Sequence, residues 1–403
     1  MVGVSLALQL GASLPPHARI LLVEGFPLPG PIAGGKPEYH PSFDARSTAL
    51  SYGSRLIYER MGAWEDLQQW LCPINTIHVS NKGRFGSTLM HAVDYEWPAL
   101  GYVVENAWLG SSLIQALYRQ GRVEHISPAK VTRAIAREGG VALRLEGDIP
   151  MEIEAGLLLV ADGANSGLRD QLGVAVEEKS YRQHALIANV AFAEPHGGCA
   201  YERFTDEGPI ALLPLLAAKG GAHRAGLVWT LTPDRAEHLL KCPDAEFLES
   251  LQLRFGYRLG RLLQVGERHV YPLALVQSAE QVRSGIVVMG NAAHALHPVA
   301  GQGYNLALRD VAVLGQVLAA AAQSSTPMGD IAVLKQYHDL QKADQDQTVN
   351  FSDKLPALFM QSDPILGLFR DLGLAGLDLL PGAKREFVRQ AAGVAAIEDP
   401  GHV

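Results

Sequence analysis

The sequence predicts an α/β fold of Rossmann-like type. Three stretches carry the prediction: VGVSLALQLGASLPPHARILLVE at 2–24, LLLVADGANSGLRDQLG at 157–173 and IVVMGNAAHALHPVAGQGYN at 286–305. Each joins a short apolar strand to a turn rich in small residues and to a helix, the pieces from which a helix-flanked parallel sheet is built. With 403 residues, 48% of them hydrophobic, the chain can bury a large core and is expected to form two domains.

In the first stretch Val4, Leu6, Ala7, Leu8 and Leu10 read as a tightly packed helix, ended by Gly11 and the Pro15-Pro16 pair. Ile20 to Val23 then form an apolar strand that runs into Glu24. The first basic side chain is Arg19, after the apolar run, which argues against a secretory signal. No run of spanning length is free of charges and breakers, which argues against a transmembrane helix. The order helix, loop, strand, acid is the back half of a dinucleotide-binding βαβ unit, whose full form is strand, G-x-G-x-x-G, helix, strand and an acid roughly 20 residues on. Gly3 takes the place of the third glycine, where a bare hydrogen lets helix and strand approach, and Glu24 the place of the acid that accepts from ribose hydroxyls. The first strand and first two glycines are missing, so Met1 is expected to fall inside the motif through a misassigned start codon.

The second stretch places a buried strand at Leu157–Ala161, a tight turn at Asp162-Gly163 and a helix cap at Asn165-Ser166. The third places a strand at Ile286–Met289, then Gly290, which lets the backbone approach a ligand, and Asn291, which can donate or accept. His294, His297 and Pro298 lead into Gly301-Gln302-Gly303, and a helix is expected from near Asn305 through Leu306, Leu308, Val311 and Leu314. A glycine-rich loop before a helix start offers free N–H groups and a positive dipole end to an anionic atom.

Several functions are excluded. A formal net charge of -8 with 19% charged residues does not suit a nucleic-acid binder. Cys72, Cys199 and Cys242 contain no CxxC pair, so neither a disulfide framework nor a zinc site is expected, and a reducing cytoplasm fits. His294 and His297 have no nearby carboxylate or Cys to complete a ligand set, so no metal is expected. There is no G-x-S-x-G elbow, no P-loop and no second complete dinucleotide fingerprint.

The truncated fingerprint with Glu24, the DG segment at 162–163 and the GNAAH…HPVAGQGYN segment occur in an order that resembles the group A flavoprotein monooxygenases, the aromatic hydroxylases related to p-hydroxybenzoate hydroxylase. PVAGQGYNLALRD is similar to the signature of the ubiquinone-biosynthesis hydroxylases, with Ala307 where that signature has Gly. Asn291 stands where most of the family has Asp. Together with FDARSTAL (43–50), YERFTDEGPIALLPL (201–215) and YPLAL (271–275), it resembles the branch acting on 2-octaprenyl-6-methoxyphenol. The resemblance covers nearly the whole chain and is weakest in the C-terminal tail.

The resemblance implies FAD as cofactor, NAD(P)H as a transient reductant, and O2 and a polyprenylated phenol as substrates. It also implies ring hydroxylation by a flavin C4a-hydroperoxide; a phenol needs only mild activation, so no catalytic acid or base is named from the sequence. Glu24 would bind the adenosine ribose, and Arg46 would meet the pyrophosphate with paired charged hydrogen bonds. Asp162 and Gly163 would order the nearby loop, and Gly290 and Asn291 would hold the ribityl–pyrophosphate region. Pro298, Ala300, Gly301, Gln302, Gly303 and Asn305 would face the isoalloxazine, their N–H groups stabilising negative charge on the reduced ring. Leu213, Pro214, Tyr271 and Pro272 would line the substrate ring.

The FAD-binding domain is expected in two parts, residues 1–178 and 285–375. A sheet-rich substrate domain at 179–284 carries strands Ala185–Ala193, Ile210–Leu215, Ala225–Leu231 and Val270–Leu275, joined by part of 74–105, and a helical tail closes the chain at 376–403. The leucine-rich segment from Leu355 has two readings: helices packed on the body, or a docking surface for a ubiquinone-biosynthesis complex or for lipid. A cytoplasmic, membrane-associated location follows. Two alternatives stand: hydroxylation at another ring carbon, or a non-catalytic place in a biosynthetic assembly.

Overall fold

A computed structural model describes residues 1–32, 38–39, 42–83, 87–148, 150–217, 221–296, 301–360 and 381–394. The chain starts with α1 (Val2–Ser13) and β1 (Ile20–Val23), followed by β2 (Ser47–Ser51), α2 (Tyr52–Arg60) and α3 (Trp64–Leu67). Next come β3 (Leu71–Ile74), β4 (Thr76–Asn81), β5 (Ser87–His91), β6 (Gly101–Glu105) and α4 (Asn106–Gln120). Then follow β7 (Val123–Ile126), β8 (Ala129–Arg137), β9 (Gly140–Gly147), β10 (Met151–Ala155), β11 (Leu158–Val160) and α5 (Gly167–Gln171). The middle of the chain gives β12 (Val176–Phe192), β13 (Cys199–Thr205), β14 (Gly208–Leu215), β15 (His223–Leu231), α6 (Pro233–Lys241) and α7 (Asp244–Phe255). The remainder is β16 (Leu262–Val265), β17 (His269–Ser278), β18 (Val282–Arg283), β19 (Ile286–Val288), β20 (His294–Ala295), α8 (Gln302–Gln323), α9 (Ile331–Met360) and α10 (Pro381–Ala391).

The parallel pairs β1–β7 and β11–β19 lie in separate sheets. Both sheets sit between the same two layers. Ile20, Leu22, Leu157 and Leu159 pack on the core of α1, α4 and α8, whereas Val23, Leu158, Val160 and Val288 face the core made with β9. α8 is buried nearly all round, as its apolar sequence requires. By length and composition it could cross a membrane, but 72% of its most apolar window is buried inside the protein.

Close packing of α1 relies on glycines other than the expected one. A Cβ on Gly11 would lie 2.1 Å from the Gln120 side chain of α4, and one on Gly315 would lie 2.5 Å from Gln9. A Cβ on Gly3 would meet only Leu22 at 3.8 Å, an ordinary contact. The geometry therefore does not demand glycine there, contrary to the motif's logic.

The second domain is built on a nine-stranded sheet of order β20-β17-β12-β15-β14-β13-β4-β5, with β16 also on β12. Leu186, Val190, Leu212, Leu227 and Trp229 on one face pack against α6 and α7 through Leu239, Phe247 and Leu251. The other face turns toward the first domain. β4 and β5 join this sheet, as expected for part of 74–105, whereas β6 is the centre of the sheet β2-β6-β3. β12 begins at Val176, well before the expected Ala185. Its first five residues, VEEKS, pair with β17 although they are exposed, so they show no apolar alternation to read. Of the tail, 361–380 and 395–403 lie outside the described residues, and α10 packs on the body through Val388 and Phe387.

Candidate functional site

The turns singled out in the sequence gather at one edge of the first domain. Parallel pairing of Val160 with Val288 puts the Asp162-Gly163 turn and the Gly290 turn at the same carboxyl end, where α/β sheets bind ligands. The two turns are tied together by a residue the motifs did not reveal. The buried Arg169 donates from Nη1 to Ala164 O (3.1 Å) and Ala292 O (3.2 Å). Ser166, at the expected cap, accepts from Arg169 N at 3.0 Å. Gly290 has φ +59, and a Cβ on it would lie 3.2 Å from Val2 at the start of α1. Glu24 accepts from Phe26 N at 3.1 Å; burial lowers the pKa of the Met1 amine, and the Glu24 charge partly offsets this. Asp162 and Asn291 are exposed, and the Asn291 side chain has no hydrogen-bond partner among the described residues.

The helix of the glycine-rich loop begins at Gln302, earlier than expected, after Gly301 at φ +63. No side chain caps this start, and the space beyond Gly303 is open. Among the described residues no side chain takes up the first-turn amides. Two side chains expected at the cofactor are spent on the protein instead. Asn305 Oδ1 accepts from Ser51 N (2.8 Å) and Ser54 Oγ (2.7 Å), while its Nδ2 donates to Ala49 O (2.9 Å) and Gly301 O (2.8 Å). Gln302 Nε2 donates to Ala391 O at 3.2 Å. These side chains lock the helix start onto β2, α2 and α10, leaving the backbone for a ligand. His297, Pro298 and Ala300 lie outside the described residues. His294 is turned inward, its Nε2 3.2 Å from Asp310 Oδ2.

β2 joins this helix start to the large sheet. A Cβ on Gly301 would lie 3.3 Å from Ala49 Cβ, and one on Gly226 of β15 would lie 3.1 Å from Ser47 Oγ. Ser47 and Ala49 are two residues apart on one strand, about 7 Å. Arg46 precedes β2, is exposed, and donates from Nη1 to Tyr271 OH at 3.3 Å. Of the four residues expected against the substrate ring, Leu213 and Tyr271 point to this side of the sheet. Leu213 pairs with Gly226 and Tyr271 with Ala185, which lie in strand positions alternate to the α6–α7 face. Pro214 and Pro272 are one residue on, so the period of two turns them to the opposite face. A buried ion pair fixes the sheet to β6: Arg224 binds Glu105, which also accepts from Tyr39 OH at 2.8 Å.

Among the described residues, the groups available are an uncapped helix start, the two glycine turns, an unpartnered side-chain amide and, as an acceptor, a carboxylate at a strand end. They fit a long anionic dinucleotide such as FAD.

Residues 113–352 match the family model for an FAD binding domain. The chain is 33% identical over 352 residues to ubiquinone hydroxylase UbiL of Rhodospirillum rubrum, spanning 87% of this chain and 80% of that one. It is 30% identical over 395 residues to 3-demethoxyubiquinol 3-hydroxylase of Escherichia coli, spanning 98% and 96%. The fold matches the crystal structure of p-nitrophenol 4-monooxygenase PnpA from Pseudomonas putida with a TM-score of 0.75 at 17% identity, over 97% of this chain and 95% of that one.

Proposed function

The chain belongs to the FAD-dependent monooxygenases of the ubiquinone hydroxylase family, and on that premise we propose that it hydroxylates the ring of 2-octaprenyl-6-methoxyphenol. The observation that carries this reading is the placement of β2 between the uncapped start of α8 and the face of the large sheet that holds Leu213 and Tyr271. A flat ring lying on that face would sit beside the amides that suit a flavin.

FAD, when bound, supplies the redox chemistry and the activation of O2. The chain's own residues supply position. In this reading Glu24 takes the ribose hydroxyls, Arg46 the pyrophosphate and Asn291 the ribityl region. The amides at the start of α8 take negative charge at the ring's pyrimidine edge. The aliphatic sheet face holds the phenol and excludes water. A prenyl tail draws the substrate to lipid, which supports a cytoplasmic enzyme in contact with a membrane and with other proteins of the pathway.

The test is to load the chain with FAD, supply NADH or NADPH and 2-octaprenyl-6-methoxyphenol, and identify the product by mass spectrometry. Hydroxylation of that ring is expected; reductant oxidation without a hydroxylated product would sink the reading. A second reading, hydroxylation at the ring carbon of 3-demethoxyubiquinol, is favoured by the 30% identity to the Escherichia coli enzyme over 98% of this chain. Competition between the two phenols decides between them. A folded chain that binds no flavin would point to the non-catalytic role.

A further inference from the structure

We propose that Glu202 takes the proton of the substrate's ring hydroxyl, a role that rests on the phenol hydroxylase reading above. Glu202 lies in the middle of β13, paired with Val79 of β4 and Ala211 of β14. Ala211 pairs in turn with Val228, and Val228 with Ile187. The row is one carboxylate among four aliphatic side chains. The next row along the strands contains Leu213, with Gly226 and Asn189. The row on the other side contains Phe204, and Tyr271 with Ala185. Glu202 is therefore on the same face as Leu213 and Tyr271, in the row between theirs.

Its carboxylate has no hydrogen-bond or ion-pair partner among the described residues. The charged groups nearby are engaged elsewhere. Arg203 points to the other face and donates to Arg254 O. Asp353 of α9 holds Lys179 and Tyr181. Lys384 of α10 donates to Leu89 O. His269 ends the row two strands beyond Val228, next to Ile187. Burial alone pushes the Glu202 carboxyl up to about 8 from 4.5. The side chain keeps partial access to solvent, which a group exchanging protons needs.

A lone carboxylate in an aliphatic row costs stability and supports no neighbour. A basicity near working pH suits proton transfer from a phenol. In the step, the phenol O–H bond breaks and the proton passes to a Glu202 oxygen. The electron pair stays on the ring oxygen, giving a phenolate with a more electron-rich ring. The neutral Glu202 carboxyl then returns its proton to water.

The experiment uses FAD-loaded wild type, E202Q, E202D and E202L, with a prenylated phenol, its methyl ether, and ring-fluorinated analogues of rising acidity. Calorimetry should show wild type binding the phenol about tenfold more tightly than the ether, and E202L binding both alike. For wild type, kcat/KM should rise with pH through about 8. E202Q should lose that limb and fall about 100-fold on the parent phenol. Its defect should shrink as the phenol becomes more acidic, and E202D should keep the limb. An equal loss on every phenol, or an undiminished preference for phenol over ether in E202L, overturns the assignment. If one variant does not fold, the others carry the same comparison. Wild type that prefers the phenol but hydroxylates none removes the hydroxylase reading and leaves Glu202 as the hydroxyl's partner. Wild type that hydroxylates without a pH limb removes Glu202 alone.

Discussion

Asp310 Oδ2 lies 3.2 Å from His294 Nε2, with both side chains closed to solvent. The other carboxylate oxygen accepts from Gln341 Nε2 (3.0 Å) and Gln345 Nε2 (2.8 Å). Through Gln341 and Gln345 this buried carboxylate ties α8 to α9, with the His294 ring of the turn after β19 in contact with its other oxygen. Asp310→Ala strands two amide groups in the core, Gln341 Nε2 and Gln345 Nε2, and removes the charge beside His294. A loss of about 3–5 kcal/mol is expected, read by denaturant unfolding, with most bound flavin lost. Unchanged stability would show that the pair fixes nothing.

Asn291 and Asn305 should separate under mutation. Asn305→Ala removes four hydrogen bonds from protein groups, so unfolding of the flavin-free chain should be easier by about 2–3 kcal/mol. Asn291→Ala touches an exposed side chain, so flavin-free stability should stay within about 0.5 kcal/mol while FAD binding weakens. Calorimetric FAD titration beside thermal unfolding checks both.

Arg169→Lys keeps the charge but loses the planar fork that reaches two carbonyls, Ala164 O and Ala292 O. Flavin retention on gel filtration should fall, with FAD binding weaker by about tenfold and the secondary structure intact by circular dichroism. Wild-type retention in this variant would mean that the two turns hold their spacing without the fork.

Glu202 also predicts a pH dependence of stability. Its folded-state value of about 8 lies above the ordinary 4.5, so between these pH values the folded chain holds a proton that the unfolded chain has released. Stability should therefore fall as pH rises across that window, by at most about 1.4 kcal/mol per unit, less for the solvent access it retains. In Glu202→Gln this component of the slope should vanish, leaving the variant more stable than wild type at pH 8. Identical thermal profiles against pH would rule out the raised value.

The sequence alone determined the local pieces: α1, the strands β1, β11 and β19, the Ser166 cap, the long apolar α8 and the chemical class of the chain; Gly11, read as ending α1, lies inside it, and the helix stops at Ser13 before Pro15-Pro16. These depend on periodicity, turn chemistry and contiguous motifs, all of which are local. Tertiary structure decided which of the singled-out side chains are free. Asn305, in the first turn of α8, and Asn291, in the turn after β19, are the same residue type, yet one is consumed by β2 and α2 and the other has no partner among the described residues. Pro214 and Pro272 belonged to the right strands, but their facing depended on which side of the sheet α6 and α7 cover. Arg169, the Glu105–Arg224 pair and Glu202 carry no motif. Their roles come from partners over a hundred residues away, or, for Glu202, from the absence of one among the described residues. An Arg-Asp pair inside an apolar helix was the one visible sign of the Asp310 network, because a charge is kept in such a helix only when a distant partner meets it.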